Sequence, residues 1–195
     1  MVVEVENKCS WLKKLDNSIY TDPRFHKILC FYVINTPVIE LSSRAIDLKE
    51  YGWNNPWNRK YYLNRQLKGC SINSKLIYSA KTYNDMDVTL EKAALKYSFP
   101  SDYSFERIAI YNNKKNQFIS TFYHIRNSLA HGRFNIQIAE TSDDWVFIFE
   151  DVVKNIKTGK CKLSARMVLN LSTLLAWIQL IEGGQCEYSK RDSIR

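Results

Sequence analysis

A chain of 195 residues makes one domain or two small ones, and 45% apolar with 13% aromatic residues supplies a real core. With 25% charged residues it is not a disordered polymer, and six glycines and four prolines are too few for a turn-rich sandwich or barrel, which favours helices. The net charge of +8 attracts polyanions, nucleic acid foremost. The longest apolar run, ILCFYVI at 28–34, is far short of the about 20 residues that cross a bilayer. The opening MVVEVENKCSW has acids and no apolar h-region, so it does not read as a signal peptide. Five cysteines without metal-ligand spacing read as reduced thiols. The expectation is a soluble, cytoplasmic, helical, basic protein that makes no use of the membrane.

Residues 1–20 alternate weakly and read as a peripheral segment. Asp22-Pro23 opens a helix that runs through Phe31 and stops near Asn35. Thr36-Pro37 repeats that grammar, with Val38, Leu41, Ala45 and Leu48 on one stripe and Gly52 past its end. Asn55-Pro56 opens a third, basic helix, WNRKYYLNRQLK, closed by Gly69. Three short helices followed by SKLIYSAKTY, a candidate strand, outline a winged-helix-like part over 20–84. DVTLEKAALKYSF then predicts a helix up to Pro100, and Ser101-Asp102 starts another through FERIAIYNN. The segment NKKNQFISTFYHIRNSLAHG predicts the best-defined helix, with Phe118, Phe122, Ile125 and Leu129 on one stripe before Gly132. FNIQIAE and WVFIFEDV alternate around TSDD and predict one β-hairpin near 134–153, with a second turn at 157–160. KLSARMVLNLSTLLAWIQLIE predicts a closing helix that stops at Gly183-Gly184. The fold class expected is therefore all-α, with a small hairpin inserted into a bundle over 85–182. The sequence leaves open whether 20–84 and 85–182 are two domains or one.

Chemistry concentrates in one place. No GxSxG and no glycine-rich phosphate loop are present. His124 and His131 lie seven residues apart, about 10 Å along a helix, too far to share one metal from a straight helix. No metal and no cofactor are expected. On a helical wheel Ser120, His124, Asn127 and His131 gather opposite the apolar stripe, with Asn127 and His131 an i,i+4 pair. Arg126 sits on the shoulder of the stripe, where a charge needs an anion, a carbonyl or a partner subunit. His131 ends the helix, where the carbonyl end favours imidazolium. An arginine and a titratable histidine so close together suit metal-free phosphodiester cleavage: one holds developing phosphate charge, the other moves a proton. The same pair also suits capping or salt-bridge work.

The stretch IRNSLAHGRF resembles the signature of the HEPN superfamily (higher eukaryotes and prokaryotes nucleotide-binding). Its motif is an arginine, four to six residues, then histidine, matched by Arg126 and His131, with Asn127 as the polar residue after the arginine. The resemblance covers roughly 85–182. It implies an all-helical bundle and a metal-independent endoribonuclease of toxin or phage-defence type, leaving a 2′,3′-cyclic phosphate. It also implies a homodimer with a composite site, and an antitoxin or regulatory protein as a further partner. His131 is then the general acid/base, Arg126 the transition-state stabiliser, and Asn127 an orienting group. RNA contacts are expected at Arg133, just past the helix end, at His124 on the polar face, and at Arg59, Arg65 and Lys68 on the basic helix. Each has an ordinary alternative: carbonyl neutralisation for Arg133, a surface histidine for His124, a solvated face for the basic helix. The competing functions are a non-catalytic RNA-, nucleotide- or protein-binding HEPN-like module, and a winged-helix DNA-binding regulator.

Overall fold

A computed structural model describes residues 1–192 apart from 39–43, 45, 58–62, 71–75, 115, 139–143 and 156–157. The elements in chain order are β1 (Glu4–Val5), α1 (Asn17–Thr21), α2 (Pro23–Leu29, prolonged by a π-helical turn over Cys30–Ile34) and α3 (Leu63–Gly69). Then come β2 (Ile77–Ala80), α4 (Met86–Lys92), β3 (Arg107–Tyr111), α5 (Gln117–Ala130), β4 (Phe134–Ile138), β5 (Trp145–Lys154), β6 (Cys161–Asn170) and α6 (Leu171–Asp192). The six strands make one sheet in the order β2-β3-β6-β5-β4, with β1 also pairing β6. Only β2 and β3 run parallel. The protein is mixed α/β, and the all-α expectation is overturned.

The reason lies in three stretches. The hairpin expected at 134–153 is present as β4 and β5, in register from Phe134↔Phe149 to Ile138↔Trp145. It is not an insertion, because β5 pairs along its other edge with β6. KLSARMVLN looks helical because alanine, arginine, methionine and leucine are good helix formers. As β6 it is buried on both faces, Ala165, Met167 and Leu169 on one side and Val168 on the other, and a strand covered twice loses its polar alternation. FERIAIYNN follows suit: Arg107–Tyr111 is a short buried run with two isoleucines, and it bridges β2 and β6. Asp102 is no helix cap there. It accepts from Ser104 and pairs at 3.0 Å with the fully buried Arg107, whose guanidinium also donates to the Asp102 and Phe105 carbonyls.

The N-terminal elements change accordingly. Asp22 caps α2, as expected, by accepting from Arg24 N–H at 2.7 Å, with Pro23 at the first position. The helix expected from Thr36 is absent from the described residues 36–38 and 46–50. The strand read as a wing is β2, which pairs in parallel with β3 at the edge of the central sheet. The peripheral segment supplies β1, with Glu4 opposite Lys162 and Val5 opposite Cys161.

One sheet face carries the main core, where residues of α2, α3, α5 and α6 pack on Ile108, Ile110, Phe147, Phe149 and Met167. Phe118, Phe122 and Trp177 meet edge to face, with centroids 5.7–5.8 Å apart in the two contacts to the indole. The opposite face carries α4 and a smaller cluster around Met86, Leu90, Leu95 and Val168. Buried polar tips tie the early and late chain together: Tyr32 donates to Leu174 O, Trp53 to Ile181 O and Trp177 to Leu67 O. At the β6–α6 joint two acids serve the helix start, Glu106 accepting from Asn170 N–H at 2.8 Å and Asp144 from Ser172 Oγ at 2.6 Å.

The stop expected at Gly183-Gly184 is a break in α6 at Gly184, whose φ is 66°. A Cβ there would come within 2.5 Å of the Tyr51 carbonyl oxygen. Gly184→Ala combines that collision with a left-handed backbone, so it is expected to lower stability by more than ~1 kcal/mol, read as a fall in melting temperature.

Candidate active site

The site is built on α5. Asn116 caps its start, accepting from Phe118 N–H at 2.8 Å and Ile119 N–H at 3.3 Å. Its end is a complete Schellman turn around Gly132 at φ 64°, with Gly132 N–H to Leu129 O and Arg133 N–H to Ser128 O. His131 is thus the C-cap residue, as the sequence indicates, and it is exposed. Phe118, Phe122, Ile125 and Leu129 are the buried stripe.

The opposite, polar face is also buried over most of its length. Ser120 Oγ donates to Asn112 Oδ1 at 2.6 Å. His124 is 1% exposed, not a surface residue. Its Nδ1 lies 2.7 Å from Asp151 Oδ2 and its Nε2 2.8 Å from Tyr111 O. Both neighbours are hydrogen-bond acceptors, one on each side of the ring. The chain of contacts continues outward: Asn127 Nδ2 reaches Asp151 Oδ2 at 3.4 Å, and Arg126 Nη1 donates to Asn127 Oδ1 at 3.2 Å. Asp151 therefore holds the buried histidine and Asn127 together, and Asn127 in turn holds the half-buried Arg126. Among the described residues the His131 imidazole makes no hydrogen bond or ion pair.

Arg133 points the other way. It is buried, and its guanidinium donates to Glu150 and to the carbonyls of Asn7 and Glu6. Arg166 completes the cluster, Nε to Glu150 Oε2 at 3.0 Å, with its guanidinium 4.5 Å from the Phe99 ring. Burial pushes the neighbouring Cys9 thiol up to about 11, only partly countered by the Arg133 charge. Arg133 is thereby engaged inside the protein, on the sheet face opposite to Asp151. Arg65 and Lys68 are exposed on α3, whose Leu63 and Leu67 pack inward, and α3 rests on α6. Arg59 lies outside the described residues. The arrangement thus joins Arg126 and Asn127 with His124, and engages Arg133 with Glu150 instead.

Asp151, Glu150 and Arg166 were not singled out from the sequence. The signal was two adjacent acids inside an apolar strand: neighbours point to opposite faces, so each acid needs its own cation. Among the described residues no three histidine, cysteine, aspartate or glutamate side chains converge as a metal site, and no helix is long and apolar enough to cross a membrane.

The Arg-Asn-x-x-x-His stretch at the end of α5 is where the chain resembles HEPN proteins, and a comparison with known families supports that membership. Residues 36–183 match the family model described as HEPN pEK499 p136. That is well over half of the chain, and the protein belongs to this HEPN family. No curated protein and no solved structure matches it.

Asp151→Ala takes an acceptor from the buried His124 and loosens Asn127, and is expected to cost about 1–3 kcal/mol in a denaturant melt. Native alkylation at pH 8 is expected to label the exposed Cys30 well before Cys9, whose reaction accelerates only as the pH approaches 11.

Proposed function

We propose that this HEPN protein is a metal-independent endoribonuclease of the toxin or phage-defence kind, with Arg126 and His131 as its catalytic residues. The observation that carries the reading is the unequal treatment of one helix. His124, on the same polar face, is locked into the fold, whereas His131 is exposed and Arg126 is half-buried and steadied by Asn127. A titratable, accessible imidazole and a pre-oriented guanidinium are the two groups the reaction uses. The ribose 2′-hydroxyl attacks the adjacent phosphorus, a proton leaves that hydroxyl, and a proton joins the departing 5′-oxygen. The products are a 2′,3′-cyclic phosphate and a 5′-hydroxyl end. His131 moves the protons, and Arg126 takes the charge gathering on the non-bridging oxygens.

One histidine serves only one end of this reaction at a time. A symmetric pairing across 126–131 supplies the second, because a two-fold interface repeats the same patch on both subunits. The active form is therefore a homodimer with two Arg126–His131 sets around one phosphate, working in the cytoplasm. An antitoxin or other regulatory protein acts on it from outside.

In excess EDTA the wild type is expected to cut RNA, with Arg126→Ala and His131→Ala each losing at least ~100-fold. Since His131 is exposed, its variant should melt with the wild type. RNA binding without cleavage would make the protein a binding module instead. Mixing the two inactive variants is expected to restore part of the activity through heterodimers. Cleavage by a strict monomer at micromolar concentration would remove the composite site.

A further inference from the structure

A pocket of about 320 Å³ opens beside the N-terminal half of α5. Trp57, Ile119, Asp47, Asn55, Lys49 and Lys114 are in its wall. It is a separate feature from the Arg126–Asn127–His124 cluster, and three observations say what it takes.

Its size lies at the lower end of small-ligand sites, enough for one nucleotide unit. Its chemistry is that of a base-and-phosphate site. The half-buried Trp57 lines it with an indole, and Lys49 and Lys114 bring basic side chains to it in a protein with a net charge of +8. Asp47 accepts the Lys49 N–H at 3.0 Å, and a carboxylate has room for further donors. Its position leads to the motif. Ile119, Tyr123 and Arg126 follow one another at steps of four and three, so they share one face of α5. Lys114 Nζ also lies 5.2 Å from the Tyr123 ring centroid, joining the pocket wall to that face. From Ile119 to Arg126 the helix rises about 10 Å.

We propose that this pocket is a base-binding subsite for single-stranded RNA. One unpaired nucleobase stacks on Trp57 with a donor-bearing edge toward Asp47, and its flanking phosphates lie against Lys49 and Lys114. The strand then runs over Tyr123 to Arg126. The subsite selects single strands, because a paired base offers neither its face nor its Watson–Crick edge. The proposal rests on the ribonuclease reading, in that the strand held here is the one delivered to Arg126 and His131.

The test uses the full chain with His131→Ala, so that RNA survives, and fluorescence anisotropy of labelled single-stranded and duplex RNA. Single strands are expected to bind at least tenfold tighter than duplex. Adding Trp57→Ala or Lys114→Ala should weaken single-strand binding about tenfold, Trp57→Phe should keep most of it, and the exposed Lys13→Ala should change it less than twofold. Lys114 is half-buried and is not one of the buried core residues, so its variant answers even if Trp57→Ala misfolds. No RNA binding, equal binding of duplex, or indifference to both pocket changes overturns the subsite. In the otherwise wild-type enzyme Lys114→Ala should raise KM and spare kcat. Cleavage with unchanged KM sinks the subsite and leaves the ribonuclease standing. Pocket-dependent binding by a chain that never cleaves does the reverse.

Discussion

Two adjacent acids on β5 hold the motif helix to the sheet. Glu150 and Asp151 are both almost wholly buried, and a strand sends them to opposite faces. A carboxylate removed from water must find a donor or a cation, and each finds its partner in the motif region. Asp151 takes His124 on the helix itself, and Glu150 takes Arg133, the second residue after the exposed His131. The end of α5 is therefore clamped from both sides of the sheet, upstream and downstream of its open residues. Arg166 and the backbone of residues 6–7 complete the Glu150 side, so the N-terminal segment also closes over the clamp.

This clamp explains why a helix with polar residues on half its circumference is still a core helix. The aromatic stripe packs against α6 through Phe118, Phe122 and Trp177. The polar face is buried too, through bonds whose partners sit on or beside β3 and β5. What is fully exposed at its end is Ala130 and His131, and Ile119, Tyr123, Arg126 and Asn127 are half-buried along one side. Such a helix presents a few polar groups from a backbone that is held on both sides.

Membership of a HEPN family combined with a six-stranded sheet means that the motif does not depend on an all-helical surround. The helix needs a firm backing for its polar face, and in this protein β3 and β5 supply it. The strands also bring the early chain into the same core, where Trp53 and Tyr32 reach carbonyls of α6.

The sequence by itself determined what depends on neighbours within a turn or two. Asp22-Pro23 starts α2, the 3–4 spacing of Phe118 to Leu129 makes α5, Gly132 ends it, and alternation around TSDD makes the β4–β5 hairpin. Arg126, Asn127 and His131 were legible as a group for the same reason, since helical geometry alone sets their spacing. Tertiary structure decided the rest. Arg166 and its neighbours became β6 because pairing with β3 and β5 outweighs a helix propensity of tenths of a kcal/mol per residue. His124 and Arg133 turned inward because Asp151 and Glu150, 27 and 17 residues further along the chain, need hydrogen-bond donors once the sheet has buried them.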